Sequence, residues 1–402
     1  MLLLVPSATY RARDFMDAAR VLGVEVTVAS DRRQAMSAAL GDRALTVPLH
    51  RPQEAAEAIV RLAERTSLDA VVAVDDGGVV TAALASERLG LVHNPPSAAR
   101  AARDKLLMRE ALQRSSVSQP DFRVAGPGAD VAALARAVGV PVVIKPVGLS
   151  GSRGVIRADD AAAAAAAAAR VRSILSDAGE DPAGPLLVER YVPGPEVALE
   201  GILRDGVLHP LALFDKPDPL EGPYFEETIY VTPSRLPEAQ QQEVVSLAAS
   251  AARALGLREG AVHAETRLGD GGPWVLELAA RSIGGLCGRA LRFGAGVSLE
   301  ELVLRHALGR PLEGLTREPA ASGVMMIPVP RTGTLLEVRG QEDARAVAGI
   351  VGLELTIAAG RPVVALPEGD RYLGFVFARG PEPEHVERAL REAHAALEID
   401  IA

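Results

Sequence analysis

Val142-Val143-Ile144-Lys145-Pro146, followed by Gly148-Leu149-Ser150-Gly151-Ser152-Arg153-Gly154 and then Val155-Ile156, is the stretch on which the reading of this 402-residue chain turns. The two β-branched runs predict strands. The loop between them is rich in glycine and serine, so its backbone N–H groups and hydroxyls can lie along a polyphosphate, and its flexibility lets it close as a lid. It is not a Walker loop, because in Gly-x-x-x-x-Gly-Lys-Ser/Thr the lysine follows the glycines, whereas Lys145 precedes them on a strand. A Gly-Ser hairpin without function has the same composition. The loop therefore gains its meaning from its neighbours.

Lys145 is the first of these neighbours. With Lys105 and Lys216 it makes up all the lysines among 43 basic residues, so arginine fills nearly every site that needs only positive charge. An ammonium is a compact point charge suited to a phosphate oxygen, whereas guanidinium is a planar fork for bidentate carboxylates. Phosphate contact is the expectation for at least two of the three.

The composition, 48% hydrophobic and 24% charged, is that of a globular protein with two or three domains. Aromatic residues are only 3%, so the cores must be built from Val, Leu, Ile and Ala, as in α/β proteins with buried parallel strands. A net charge of −9 with interspersed signs argues against nucleic-acid or anionic-membrane partners. The single cysteine, Cys287, excludes an intrachain disulfide and fits a reducing compartment. Met1 to Val5 is apolar but lacks a basic flank and ends at Pro6, and no run reaches the roughly 18 apolar residues of a membrane span. These features make the cytoplasm the expected location and a homodimer the base-rate expectation for assembly.

Working outward, residues 2–5 and 24–29 read as strands around a helix from about Arg13 to Leu22, with a further strand at Ala70–Val74 ending in Asp75-Asp76. That is βαβ rhythm and predicts an open parallel sheet. The loop Pro6–Tyr10 lacks the spaced glycines of a dinucleotide fingerprint. Beyond the glycine loop, Asp159 and Asp160 are placed to cap a helix that opens with nine alanines, Ala161–Ala169, read as scaffold. Strands are expected at 187–189, 196–202, 262–267 and 274–278, with a helix from Glu238 to Leu255. After Arg310 come strand segments at 323–328, 353–357 and 372–378 and a final helix, 383–397.

Two further constellations carry chemistry. His263-Ala264-Glu265 and Glu277 lie on strands joined by Gly269-Asp270-Gly271-Gly272, so alternation puts His263 and Glu265 on one face and lets Glu277 lie opposite Glu265. Paired carboxylates among apolar neighbours are costly without a cation between them, and magnesium, or manganese in its place, is the natural candidate. Arg281, four residues on, can complement an anionic reacting group. The segment Leu187 to Glu196 changes direction at Pro193-Gly194 and exposes backbone groups that an adenine edge can use; a plain connection between subdomains explains it equally.

Taken in order, these residues resemble the ATP-grasp superfamily of carboxylate-amine ligases over essentially the whole chain. The resemblance implies an α/β (α+β ATP-grasp) protein with an N-terminal open parallel-sheet domain (1–103), a two-lobed ATP-grasp domain (104–310) with a mobile lid subdomain at about 112–186, and a β-rich C-terminal domain (311–402). It implies ATP phosphates on Lys105 and Lys145 under a lid containing Ser150 and Ser152. It also implies adenine on the Glu189–Val192 hinge, Tyr191 included, with Glu196 at the ribose. Glu265 and Glu277 are the implied magnesium ligands, and Arg281 lies by the transferred phosphate and acyl group.

His263-Ala264-Glu265, Asp215 to Glu227 and Glu277 to Arg281 running into Gly284-Gly285 are similar to the L-amino acid ligase and carnosine synthase branch. That branch joins small-molecule carboxylate and amine substrates, typically amino acids, through an acyl phosphate. Glu226 or Glu227 is then placed to hold or deprotonate the amine, and His263 is either a substrate contact or a satisfied core histidine. Two departures stand out. Ala279 replaces the asparagine that many members carry two residues after the second metal glutamate, and Gly285 replaces a bulky residue, which implies a larger acceptor site. Lys216 is open between a loop that closes over the nucleotide, one that lines the acceptor pocket, and a plain surface position. A different ATP-grasp reaction, such as carboxylation or purine-type ligation, and a catalytically degenerate nucleotide sensor are the competing functional readings.

Overall fold

The computed structural model describes residues 1–32, 43–312, 314 and 316–402. Leu2–Leu4 is apolar at every position because both of its faces are covered: Leu3 packs with Phe15 of the helix Ala12–Val21, while Leu2 and Leu4 pack with the helices Pro52–Ala63 and Val79–Leu89. The strand pairs in parallel with Thr27–Ser30 on one side and Val71–Ala73 on the other, and Ala44–Thr46 extends the sheet beyond Thr27–Ser30. Strand order thus reverses at Leu2–Leu4, and the crevice at such a point is where open parallel sheets bind ligands. The loops leaving it, Pro6–Tyr10 and Asp75–Gly77, border the cavity described below.

A second, antiparallel sheet runs in the order Phe122–Ala125, Leu186–Arg190, Val142–Pro146, Ile156–Ala158. The alanine-rich helix Ala161–Asp177 covers it with Ala164, Ala167, Ala168, Val171 and Leu175, a helical stripe whose small residues allow close approach. Asp160 is its cap, accepting from Ala163 N at 2.8 Å; Asp159 instead pairs with Arg157.

The third sheet has eight strands, all antiparallel to their neighbours: Gly272–Ala279, Gly260–Gly269, Glu196–Arg204, Val207–Lys216, Ile229–Thr232, Ala321–Ile327, Gly374–Gly380 and Ile350–Leu355. The helix Glu238–Leu255 packs Val244, Ala248, Ala251 and Ala252 onto one face. Val207–Lys216 and Ile229–Thr232 are not legible as strands in the sequence: the first contains Pro210, tolerated because the ladder slips between Pro210 and Ala212. Through Ile229–Thr232 the sheet passes without interruption into the C-terminal strands. A three-stranded sheet of Pro362–Val363, Gly333–Arg339 and Glu398–Ile401 completes the fold. Among the described residues no helix is long and apolar enough to cross a membrane.

Candidate active site

Strand Gly260–Gly269 turns through Asp270-Gly271 into Gly272–Ala279, in a register that sets Glu265 directly opposite Glu277. On the neighbouring strand Glu200 is opposite His263. His263 Nδ1 lies 2.5 Å from Glu200 and Nε2 3.2 Å from Glu265. Burial pulls the imidazole's pKa down, but the Glu200 carboxylate more than offsets this and pushes it up to about 9. Both ring nitrogens are engaged, so His263 is a satisfied, protonated histidine that also borders the cavity.

Lys216 is buried, which overturns the surface reading; its Nζ lies 2.6 Å from Glu196, 2.5 Å from Glu227 and 3.7 Å from Glu265. Burial disfavours the ammonium, yet the three carboxylates hold its pKa well above the ordinary value. Glu265 is held below the carboxylate range against its burial by Lys216 and His263, while burial raises Glu227. Four carboxylates (Glu196, Glu200, Glu227, Glu265) thus face three cations: Lys216, protonated His263, and Arg267, which donates to Glu196 at 2.9 Å. The hard oxygen donors of these carboxylates suit a divalent ion such as magnesium. Carboxylate oxygens of Glu196, Glu227 and Glu265 lie within 4.8 Å of one another. Glu277 is outside that group and meets Lys105 at 3.2 Å.

Lys105 begins the helix Lys105–Arg114, capped by Asp104, and also donates to the carbonyl of Leu149 at 2.8 Å. Lys145 lies 2.7 Å from Glu189, itself held by Arg109 at 2.7 Å. Burial lowers the Lys145 pKa to about 8, with Glu189 resisting. In the loop above them Ser150 and Ser152 line the cavity. Gly151, Ser152 and Gly154 have φ of 65°, 56° and 72°, and for Ser152 this left-handed backbone is strained.

One cavity of about 390 Å³ gathers nearly all of these side chains: Lys105, Lys145, Ser150, Ser152, Glu189, Tyr191, Val192, Glu196, His263, Glu265, Glu277 and Arg281. Glu226 is not among its walls. A backbone hydrogen bond from Val329 reaches Glu226, and Glu227, the alternative acid, is the one that borders the cavity. The side chain of Glu196 is already bound by Lys216 and Arg267, and the carbonyl of Val192 accepts from Arg267 at 2.9 Å.

Gly285 borders the cavity, but a side chain there would first meet the core. Its φ is 59°, and a Cβ there would lie 2.9 Å from the ring of Phe375, which is fully buried. The glycine answers to backbone conformation and core packing.

Several contributors were not assigned a role from sequence. Asp76 binds Arg281 at 2.9 Å, and a carboxylate following a parallel strand at a switch point is the signal that identifies it. Tyr10, Tyr230 and Tyr372 join Tyr191, expected at the hinge, in the cavity wall, so four of the five tyrosines line it, a rarity signal parallel to that of the lysines. Glu200 and Arg267, both buried among strands, carry no such mark.

The sheets have the arrangement of an ATP-grasp fold, and the chain carries ATP-grasp domains. Residues 138–290 match the ATP-grasp domain and residues 16–93 the ATP-grasp N-terminal domain. Residues 325–402 match the L-amino acid ligase C-terminal domain 2, which narrows the kinship. The structure is similar to that of the L-amino acid ligase from Bacillus licheniformis, with a TM-score of 0.82 and 26% identity, covering 100% of this chain and 98% of that one. In sequence the chain is 31% identical to alanine–anticapsin ligase of Bacillus subtilis (strain 168) over 249 residues, 58% of this chain and 52% of that protein. It is 30% identical to carnosine synthase 1 of Gallus gallus over 276 residues, 65% of this chain and 30% of the other. The chain thus spans about half the length of the Bacillus relative, and less of the other.

Proposed function

We propose that this protein is an ATP-dependent ligase that joins the carboxylate of one amino acid to the amine of another, releasing ADP and phosphate. The observation that carries this reading is that Lys105, Lys145, the Ser150–Ser152 loop, Glu265, Glu277 and Arg281 all border one cavity. The relatives named alanine–anticapsin ligase and carnosine synthase support the amino-acid character of the substrates.

Lys105 and Lys145 offset charge on the phosphoryl oxygens, and the loop above them excludes water while the substrate carboxylate attacks the terminal phosphorus to give an acyl phosphate. The second amine then attacks the acyl carbon and phosphate leaves. Arg281 stabilises the oxyanion that develops there. Glu227 borders the same space and receives the ammonium or its proton. Glu265 and Glu277 would hold magnesium, which when bound neutralises polyphosphate charge.

The deciding experiment is phosphate release with ATP and magnesium across a matrix of paired amino acids, with mass spectrometry of every positive well. A condensed mass accompanying phosphate release is the expected result. Turnover that depends on bicarbonate and not on an amine sinks the proposal, as does the absence of any pair-stimulated turnover.

A further inference from the structure

The lid loop is gripped from outside the nucleotide-binding lobes. Gly154 N donates to the carbonyl of Pro367 at 2.9 Å, and Arg153 Nε donates to the carbonyl of Glu368 at 3.0 Å. On the lid's long helix, Arg170 engages the Glu368 carboxylate in a bidentate pair at 2.6 and 3.0 Å and also contacts the Tyr224 hydroxyl. Pro367 and Glu368 lie in the C-terminal segment between strands Pro362–Val363 and Gly374–Gly380, far from the lid in sequence. Arg153, expected from sequence to sit within the phosphate loop, therefore directs its guanidinium to the C-terminal segment.

An isolated exposed ion pair contributes little. Here the pair is fixed beside two bonds to backbone carbonyls, both donated by residues of the phosphate loop itself. Leu149 to Ser152 form part of the cavity wall, so nucleotide entry requires this loop to lift and the grip to release. If the loop lifts while an acyl phosphate is present, water attacks the acyl carbon, regenerating the carboxylate and releasing inorganic phosphate, and the ATP is spent without an amide.

We infer that the 367–370 segment is a clasp that holds the lid shut through the lifetime of the acyl phosphate, and that Glu368 is a positioning residue acting through Arg170. The inference rests on the ligase reading for its chemical consequence but not for the grip itself. Glu368→Ala is expected to lower the amide formed per ATP consumed by about threefold or more, with total ATP turnover maintained or raised. The double exchange Glu368→Arg with Arg170→Glu is expected to restore the ratio.

Trypsin cleavage after Arg153 and Arg157, in the presence of magnesium and a non-hydrolysable ATP analogue, supplies a readout independent of amide formation. It is expected to be slow in the wild type, faster in Glu368→Ala and slow again in the exchanged pair. If the wild type makes no amide, the ligase reading fails while the cleavage comparison still tests the clasp. Unchanged cleavage in Glu368→Ala overturns the clasp, as does an unchanged coupling ratio in an active enzyme.

Discussion

Arg281 and Asp76, 205 residues apart in sequence, form a 2.9 Å ion pair that ties the end of the Glu265–Glu277 hairpin to the switch point of the N-terminal sheet. Burial pushes the Asp76 pKa up, but Arg281, aided by Arg103 and Lys105, overcomes it and holds the group at about 2. A depressed carboxylate stabilises the fold above its unfolded pKa and ceases to do so as pH falls through the folded value. Asp76→Asn should thus cost about 2 kcal/mol at neutral pH, and the gap from wild type should narrow as pH drops from about 4 toward 2. Urea denaturation across that range checks it, and equal neutral-pH stabilities would refute it.

Lys145 gives a pH signature of the opposite sense. Its pKa is lowered to about 8, so in the ligand-free protein the ammonium is lost at a pH where an ordinary lysine keeps it. Nucleotide affinity should weaken about tenfold between roughly pH 7 and pH 9. Lys145→Arg should bind less well but with a flat profile. Titration of a fluorescent ATP analogue across this range measures both.

Lys216→Met removes the ammonium from among Glu196, Glu227 and Glu265 and should destabilise the protein by about 3 kcal/mol. Magnesium should recover part of that loss and raise the variant's melting temperature by more than it raises the wild type's. Equal magnesium responses in differential scanning fluorimetry would show that the ion does not enter this cluster.

Gly285→Ala should destabilise by about 2 kcal/mol, since the new methyl meets Phe375 in a backbone conformation that alanine disfavours. A variant that melts like the wild type but rejects bulky amines would restore the reading of Gly285 as a pocket-widening residue.

The parts of the fold visible in the sequence are those whose cause is local. Leu2–Leu4, the alanine helix and the Asp270-Gly271 turn show themselves through composition and periodicity, but the turn alone would set Glu265 against Leu276, and it is a bulge between Glu265 and Thr266 that brings Glu277 opposite. Val207–Lys216 stays hidden because a bulge beside Pro210 reconciles proline with a strand only once a partner strand is present. The site divides in the same way. Lysines used sparingly in an arginine-rich chain stand out, whereas the grip of Asp76 on Arg281 depends on segments 205 residues apart meeting, and its one local sign is an acid following a parallel strand.

The unbroken run of hydrogen bonds from Ile229–Thr232 into Ala321–Ile327 has a practical consequence. Removing the segment after residue 312 would not release a self-contained catalytic lobe; it would strip Ile229–Thr232 of its outer neighbour and leave an apolar, fully buried strand as a naked border open to other molecules. Such a shortened protein should precipitate or self-associate on expression, and grafting a C-terminal segment from a relative should succeed only if the graft brings its own strand to lie along that border.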